Sequence, residues 1–97
     1  MTTPADLERI THKLDQAYGI MAFSESAALL SAVRLLLGEI RSDDMPTRAT
    51  QAQWIRIVET MLRLGSGAVT SDEIRGLGLE IHHLREAIAQ HLARIAY

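Results

Sequence analysis

Three histidines near the end of the chain are the residues whose type and spacing most invite chemistry. His82, His83 and His91 lie close together, and Glu80 forms an E-x-x-H pair with His83. Di-iron helical bundles use such pairs, but they need two of them and further Glu residues on other helices. The sequence has no second E-x-x-H, and no two of its histidines stand four residues apart, the spacing that gives one helix two metal ligands. We therefore expect no metal site, and we expect solvated histidines on a helix surface.

Other catalytic patterns are missing as well. His82 and Glu86, four residues apart, could be an acid–base pair, but they are more simply a surface pair of small energetic weight. The chain has no Cys, so it has no disulfide, no thiolate metal ligand and no Cys nucleophile. It lacks a nucleophile elbow, a glycine-rich phosphate loop and an H-E-x-x-H motif. We expect no enzymatic activity, no catalytic residue and no cofactor.

Length and charge narrow the remaining classes of function. A chain of 97 residues fits one domain, residues 1–97. Its formal net charge is -2 and Lys13 is its single lysine, so the basic surface of a nucleic-acid-binding protein is missing. No apolar run has the length of a membrane span, and the start lacks the pattern of a secretory signal. We expect a cytoplasmic protein that binds neither nucleic acid nor a membrane.

The elements that carry these residues are predicted to be helices. Only 4% of the residues are aromatic, whereas Ala, Leu and Met, which favour helices, are abundant. Apolar residues recur every three or four positions over about 4–21, 25–41, 48–64 and 71–96. These patterns predict an all-α fold, a small four-helix bundle with helix 2 at its centre.

Local signals support these helix boundaries. Thr3 can cap the first helix, and Thr70 and Glu73 form a capping box before the fourth. Gly65 stands where a left-handed residue would end the third helix. In that helix, we expect five apolar side chains to face inward: Trp54, Ile55, Val58, Met61 and Leu62.

Helix 2 carries more apolar surface than one neighbour can cover. Its apolar arc spans roughly 220°, about twice the 100° that one packed face needs. Leu29, Val33, Leu36 and Ile40 form the centre of the arc. Its flanks are Ala28, Ala32 and Leu35 on one side, and Leu30 and Leu37 on the other.

Packing within the chain on two sides of helix 2 could absorb this surplus. The interpretation we favour is a homodimer or an interface with another protein, built on one of the two flanks. Alanines at 28 and 32 would allow close helix approach, whereas leucines at 30 and 37 offer more apolar area, so the sequence leaves the choice of flank open. Phe23, at the joint between helices 1 and 2, is a further candidate for the interface.

The stretch "TSDEIRGLGLEIHHLREAI", Thr70–Ile88, allows two interpretations. In a helix-turn-helix, Gly78 would form the turn and a DNA-reading helix would follow it. In a continuous helix, seven apolar residues fall within about 80° of one another, which a turn would prevent. They are Ile74, Leu77, Ile81, Leu84, Ile88, Leu92 and Ile95. We therefore favour one helix, which could be bent at Gly76–Gly78, and keep a DNA-binding regulator as the alternative.

In size, helical layout and composition, the whole chain resembles small all-helical bacterial anti-activators of quorum-sensing transcription factors (the QslA type). No single motif carries this resemblance, so it transfers no functional residue. It implies a homodimer that inactivates a transcription factor by contacting it through apolar helix faces. Together with the missing catalytic patterns, it predicts a regulator that acts by binding another protein.

Overall fold

The computed structural model describes residues 3–23, 28–65 and 70–95. Its elements are α1 (Pro4–Phe23), α2 (Ala28–Leu37), a short 3-10 turn (Ser42–Asp44), α3 (Arg48–Leu64) and α4 (Ser71–Ile95). The predicted all-α, four-helix architecture is confirmed. Across the described residues, no helix combines the length and the apolar character needed to cross a membrane.

Side-chain caps fix where three of the helices begin. The Asp6 amide donates to Thr3 Oγ1 at 3.2 Å, and the Thr3 amide donates to Asp6 Oδ2 at 3.1 Å. Thr70 and Glu73 exchange the same pair of bonds, each at 3.2 Å, so the predicted capping box is confirmed. Thr47 caps α3 by accepting from the Thr50 amide. These bonds satisfy amide groups that the first turn of a helix leaves without partners.

The packing of α1 against α4 forms the main part of the core. Each of these helices buries one continuous stripe, as its apolar periodicity predicts. At the end of α4, Leu92 is half-buried against the core and Ile95 is exposed. The buried residues are Leu7, Ile10, Leu14, Ala17 and Met21 on α1, with Ile74, Leu77, Ile81, Leu84 and Ile88 on α4. Because α4 also packs against α3, it is the central helix of the bundle.

The central position predicted for helix 2 is therefore wrong. The second helix has 10 residues, packs mainly on α1, and ends at Leu37 rather than near residue 41. Gly38, a poor helix former, begins the turn that stops it. Ile40 and Met45 in the following segment fold back onto the core.

Of two predictions made at glycines, the structure confirms one and corrects the other. Gly76 and Gly78 lie inside one uninterrupted α4, and no described glycine has a positive φ, so the predicted continuous helix is confirmed. Gly65 has φ -71° and ψ -13°, which is right-handed, so the predicted left-handed cap is wrong. Its amide donates to the Met61 carbonyl oxygen at 3.0 Å and simply completes the last turn of α3.

Candidate protein-interaction surface

The third helix carries two apolar stripes, and only one of them is buried. The buried stripe consists of Thr50, Trp54, Ile57, Met61 and Leu64. The second stripe, Ile55, Val58 and Leu62, follows the same helical spacing. It lies beside the core, with 45% of Ile55 and 57% of Leu62 exposed, while Val58 is half-buried against the core. The prediction that Ile55 and Leu62 face inward is therefore wrong. The helix packs on its other side, which leaves this stripe for solvent or for a partner.

The C-terminal half of α2 lies beside this second stripe. Leu35 is 83% exposed, the largest exposed fraction among the large apolar side chains of the described residues. A groove of about 260 Å³ separates the two helices. Its lining combines the end of α2 and its turn with α3: Arg34, Leu37, Gly38, Ile40, Trp54, Val58, Met61 and Leu62. We call this surface the α2–α3 face: the exposed residues Ile55 and Leu62, the half-buried Val58, and the groove between the helices. Leu35 lies on a separate depression of α2 with Arg34 and Ser31.

Charged side chains border the α2–α3 face at the groove and at a neighbouring depression. At the Leu62 end, Arg34 lines the groove, and its Nη1 atom lies 3.0 Å from the position that a Cβ on Gly65 would occupy. The guanidinium group therefore sits at the C-terminal end of α3, where the helix dipole favours a cation. Within the described residues, Arg34 forms no ion pair with a carboxylate.

The surface beside Ile55 is acidic. An adjoining depression of about 440 Å³ is lined there by Asp43, Glu59 and Arg41, with the side chain of Ile55 among its apolar residues. Two carboxylates against one guanidinium group give the lining of this depression a net negative charge. Charged side chains thus border the α2–α3 face, with Arg34 at the groove and Asp43 and Glu59 at the depression.

The structure separates the six residues predicted for an interface. Leu30 and Leu37 are buried in the core of the single chain, so neither is available to a partner. The prediction that these two residues take part in an interface is therefore wrong. Together with Val33, they form the buried side of α2. Ala32 and Leu35, on the opposite flank, are exposed. The side chains of Phe23 and Ala28 lie outside the described residues.

Sequence reasoning missed the contribution of α3 to this surface. The signal was present, because residues 55, 58 and 62 repeat at a spacing of three and four. The same is true of residues 54, 57, 61 and 64, and one sequence does not say which stripe the core takes. Placing all the strong apolar residues of helix 3 on one inward face concealed the second stripe.

The histidines and their neighbours form a structural seam between α1 and α4. The ring centroids of Tyr18 and His82 are 4.8 Å apart, and His82 Nε2 lies 3.9 Å from Glu86 Oε1. Arg85 Nη1 donates to Glu86 Oε1 at 2.8 Å. Its Nε atom lies 2.9 Å from Asp15 Oδ1, but the angle makes this an ion pair rather than an aligned hydrogen bond. Within the described residues, no three His, Asp or Glu side chains come together to hold a metal ion.

The helix-turn-helix alternative fails on geometry. The turn it requires at Gly78 is replaced by helical backbone, and Gly78 is buried against α1, where its Cβ position is 3.6 Å from Met21 Cβ. The residues meant to form a reading helix continue the stripe that α4 buries. Thr70–Ile88 therefore does not contain two helices at the angle that this DNA-binding motif needs.

Compared with models of known protein families, with curated proteins and with solved structures, the chain matches none.

Proposed function

We propose that this chain is a non-enzymatic regulator that works by binding another protein through its α2–α3 face. The observation that carries the proposal is the exposure of Ile55 and Leu62 on α3, beside the groove between α2 and α3. Apolar patches of this kind, bordered by charged residues, mark sites of protein–protein contact. A groove between two helices is suited to the apolar face of an amphipathic helix, which would place side chains at i, i+3 and i+7.

The class of partner follows from the resemblance described above. An anti-activator inactivates a transcription factor by covering an apolar surface that the factor needs. The proposed partner is thus a transcription factor that offers an amphipathic helix, and the proposed place of action is the bacterial cytoplasm. Support for a binding role also comes from the residue types at the face, which are apolar and charged rather than nucleophilic.

The test is a capture experiment with matched variants. A tagged chain, Leu62→Glu and Leu79→Glu are each used to capture proteins from a lysate of the native host. Leu79 lies on the outer side of α4 and is 48% exposed, close to the 57% of Leu62, so it controls for the charge itself. We expect a protein that is retained by the wild type and by Leu79→Glu but lost with Leu62→Glu.

The captured protein is then purified, and its binding to the three chains is measured directly. A tenfold or larger loss of affinity with Leu62→Glu alone is expected for a residue near the centre of an interface, on the order of 1.4 kcal/mol. Equal binding by both variants, or capture that neither variant alters, would contradict the proposal.

A further inference from the structure

We infer that α2 is a lid, a helix that opens as one unit while α1, α3 and α4 stay packed together. The closed lid buries apolar side chains that the open lid presents to its surroundings. This inference goes beyond the proposed function and does not rest on it, because the opening is a property of the chain alone.

The length of α2 makes it the helix least able to stay folded without its neighbours. It has 10 residues, whereas α1, α3 and α4 have 20, 17 and 25. Isolated helices shorter than about 12–15 residues are marginal in water. When α2 leaves the bundle it therefore loses its helical hydrogen bonds as well, so the detachment and the unfolding of the lid are one event.

The contacts that hold the lid closed are apolar. Its buried side chains are Leu30, Val33 and Leu37, and it packs mainly on α1. Among the described residues, no side-chain hydrogen bond or ion pair connects α2 to another helix. In contrast, α4 packs on both α1 and α3 and is tied to α1 by the ion pair between Arg85 and Asp15. Opening of the lid therefore breaks one main helix contact and no polar link.

The lid ends at a turn that is followed by an anchored segment. The Gly38 amide donates to the Leu35 carbonyl oxygen at 3.4 Å, longer than the usual roughly 2.7–3.2 Å, so the turn is weakly closed. Directly after it, Lys13 Nζ donates to Glu39 Oε2 at 2.7 Å, and Ile40 is buried. Glycine has the freest backbone rotation of all residues. Gly38 is thus the point at which the lid turns relative to the anchored segment.

Opening of the lid enlarges the apolar surface beside α3. Leu37 forms part of the wall of the 260 Å³ groove, together with Trp54 and Met61, and all three side chains are buried in the closed form. Withdrawal of Leu37 removes that wall and uncovers the other two. The chain thereby gains a second conformation, with more apolar surface and a lower population than the closed one, because burial of apolar surface favours closure.

The test is hydrogen exchange of single amides, measured by NMR under conditions in which the rate reports the opening equilibrium. The amides of Arg34, Leu36 and Leu37 report on the lid, and those of Ile81 and Leu84 report on α4. After correction for intrinsic rates, we expect the lid amides to exchange at least about tenfold faster. Low urea concentrations should accelerate the lid amides only slightly and the α4 amides steeply, because opening of the lid exposes little surface.

A control variant, Ile88→Val, weakens the core beyond the lid. Because α1 and α4 run antiparallel and Arg85 pairs with Asp15, Ile88 faces α1 on the N-terminal side of Asp15. The lid ends before Glu39, which pairs with Lys13. Ile88 is buried in the closed and the open form alike. The variant should therefore accelerate the α4 amides about two- to tenfold and leave the lid amides unchanged.

Val33→Ala removes a contact that exists only while the lid is closed. It should accelerate every lid amide by the same factor, about tenfold or more, because these amides become exposed together. Circular dichroism verifies that both variants remain helical. Lid amides as slow as those of α4 would overturn the inference. So would an Ile88→Val chain in which both sets of amides accelerate equally, or a Val33→Ala chain in which the lid amides accelerate by unequal factors.

Discussion

Gly78 on α4 lies directly against Met21 on α1, and a Cβ built on the glycine would be 3.6 Å from the Met21 Cβ. That distance is an ordinary van der Waals contact. Gly78 is therefore not required by a left-handed turn or by an overlap with its neighbour. Gly76, two residues earlier, has no atom within 4 Å of its Cβ position outside its own helix backbone and chain neighbours.

Alanine at either glycine is expected to stabilise the chain. Gly76→Ala and Gly78→Ala should each raise the free energy of unfolding by about 0.5–1 kcal/mol, because alanine loses less backbone entropy in a helix. Gly78→Ala is expected to gain no more than Gly76→Ala, since its methyl group must fit beside Met21. Urea denaturation monitored by circular dichroism measures both. A loss of about 1 kcal/mol in Gly78→Ala would contradict a helical backbone at that position.

Truncations on the two sides of α2 should have opposite outcomes. Leu37→Ala removes a fully buried side chain and is expected to cost about 2–5 kcal/mol of unfolding free energy. Leu35→Ala, two residues earlier on the exposed side, should change it by less than about 0.5 kcal/mol. Chemical denaturation in dilute solution makes the comparison. Similar costs for the two variants would show that the structure assigns the wrong side of α2 to the core.

The four helices show what the sequence could and could not predict. For α1 and α4, one apolar stripe each was enough, because a single stripe leaves one way to face the core. The apolar arc of α2 is wide enough to present either flank, and α3 has two stripes. In both cases, packing against the other helices decides which side is buried, and that information is not local.

The charges of the candidate surface were beyond sequence reasoning for a related reason. Arg34, Asp43 and Glu59 come from a helix, a turn and another helix, and only the tertiary fold places them around two adjoining depressions. The early end of α2 at Leu37 matters here, because it allows the segment with Asp43 to lie beside the middle of α3.

A surface ion pair gives the chain a predictable response to acid. Lys13 Nζ donates to Glu39 Oε2 at 2.7 Å, and this hydrogen bond, aided by the lysine charge, lowers the pKa of Glu39 from its usual 4.5. A lowered pKa in the folded state stabilises the fold above the unfolded-state pKa, and the gain is lost as the pH falls through the folded-state value. Glu39→Gln should therefore be less stable than the wild type at pH 7, by a small amount because the pair is exposed.

The difference between Glu39→Gln and the wild type should close as the pH is lowered from about 4.5, the usual value for a glutamate. Thermal unfolding at several pH values measures this difference. The control is Glu8→Gln, which removes an exposed carboxylate on α1. A difference that stays constant down to low pH would contradict this account of the pair.

The histidines are expected to be dispensable. Replacing His82, His83 and His91 together with Gln should cost at most about 1 kcal/mol, which is the order expected for losing the ring contact between His82 and Tyr18. No metal content should change, because their spacing provides no ligand set. Denaturation and elemental analysis of the purified chains test this. Loss of a stoichiometric metal in the triple variant would refute it.

Photo-cross-linking in the native host shows whether the α2–α3 face binds protein. Benzoylphenylalanine replaces Leu62 in one variant and Leu79 in a control, and irradiated cells are examined for covalent adducts of the chain by mass spectrometry. We expect strong protein adducts from position 62, to a second copy or to another protein, and weak ones from position 79. Adducts from position 62 that are absent, or no stronger than those from position 79, would contradict it.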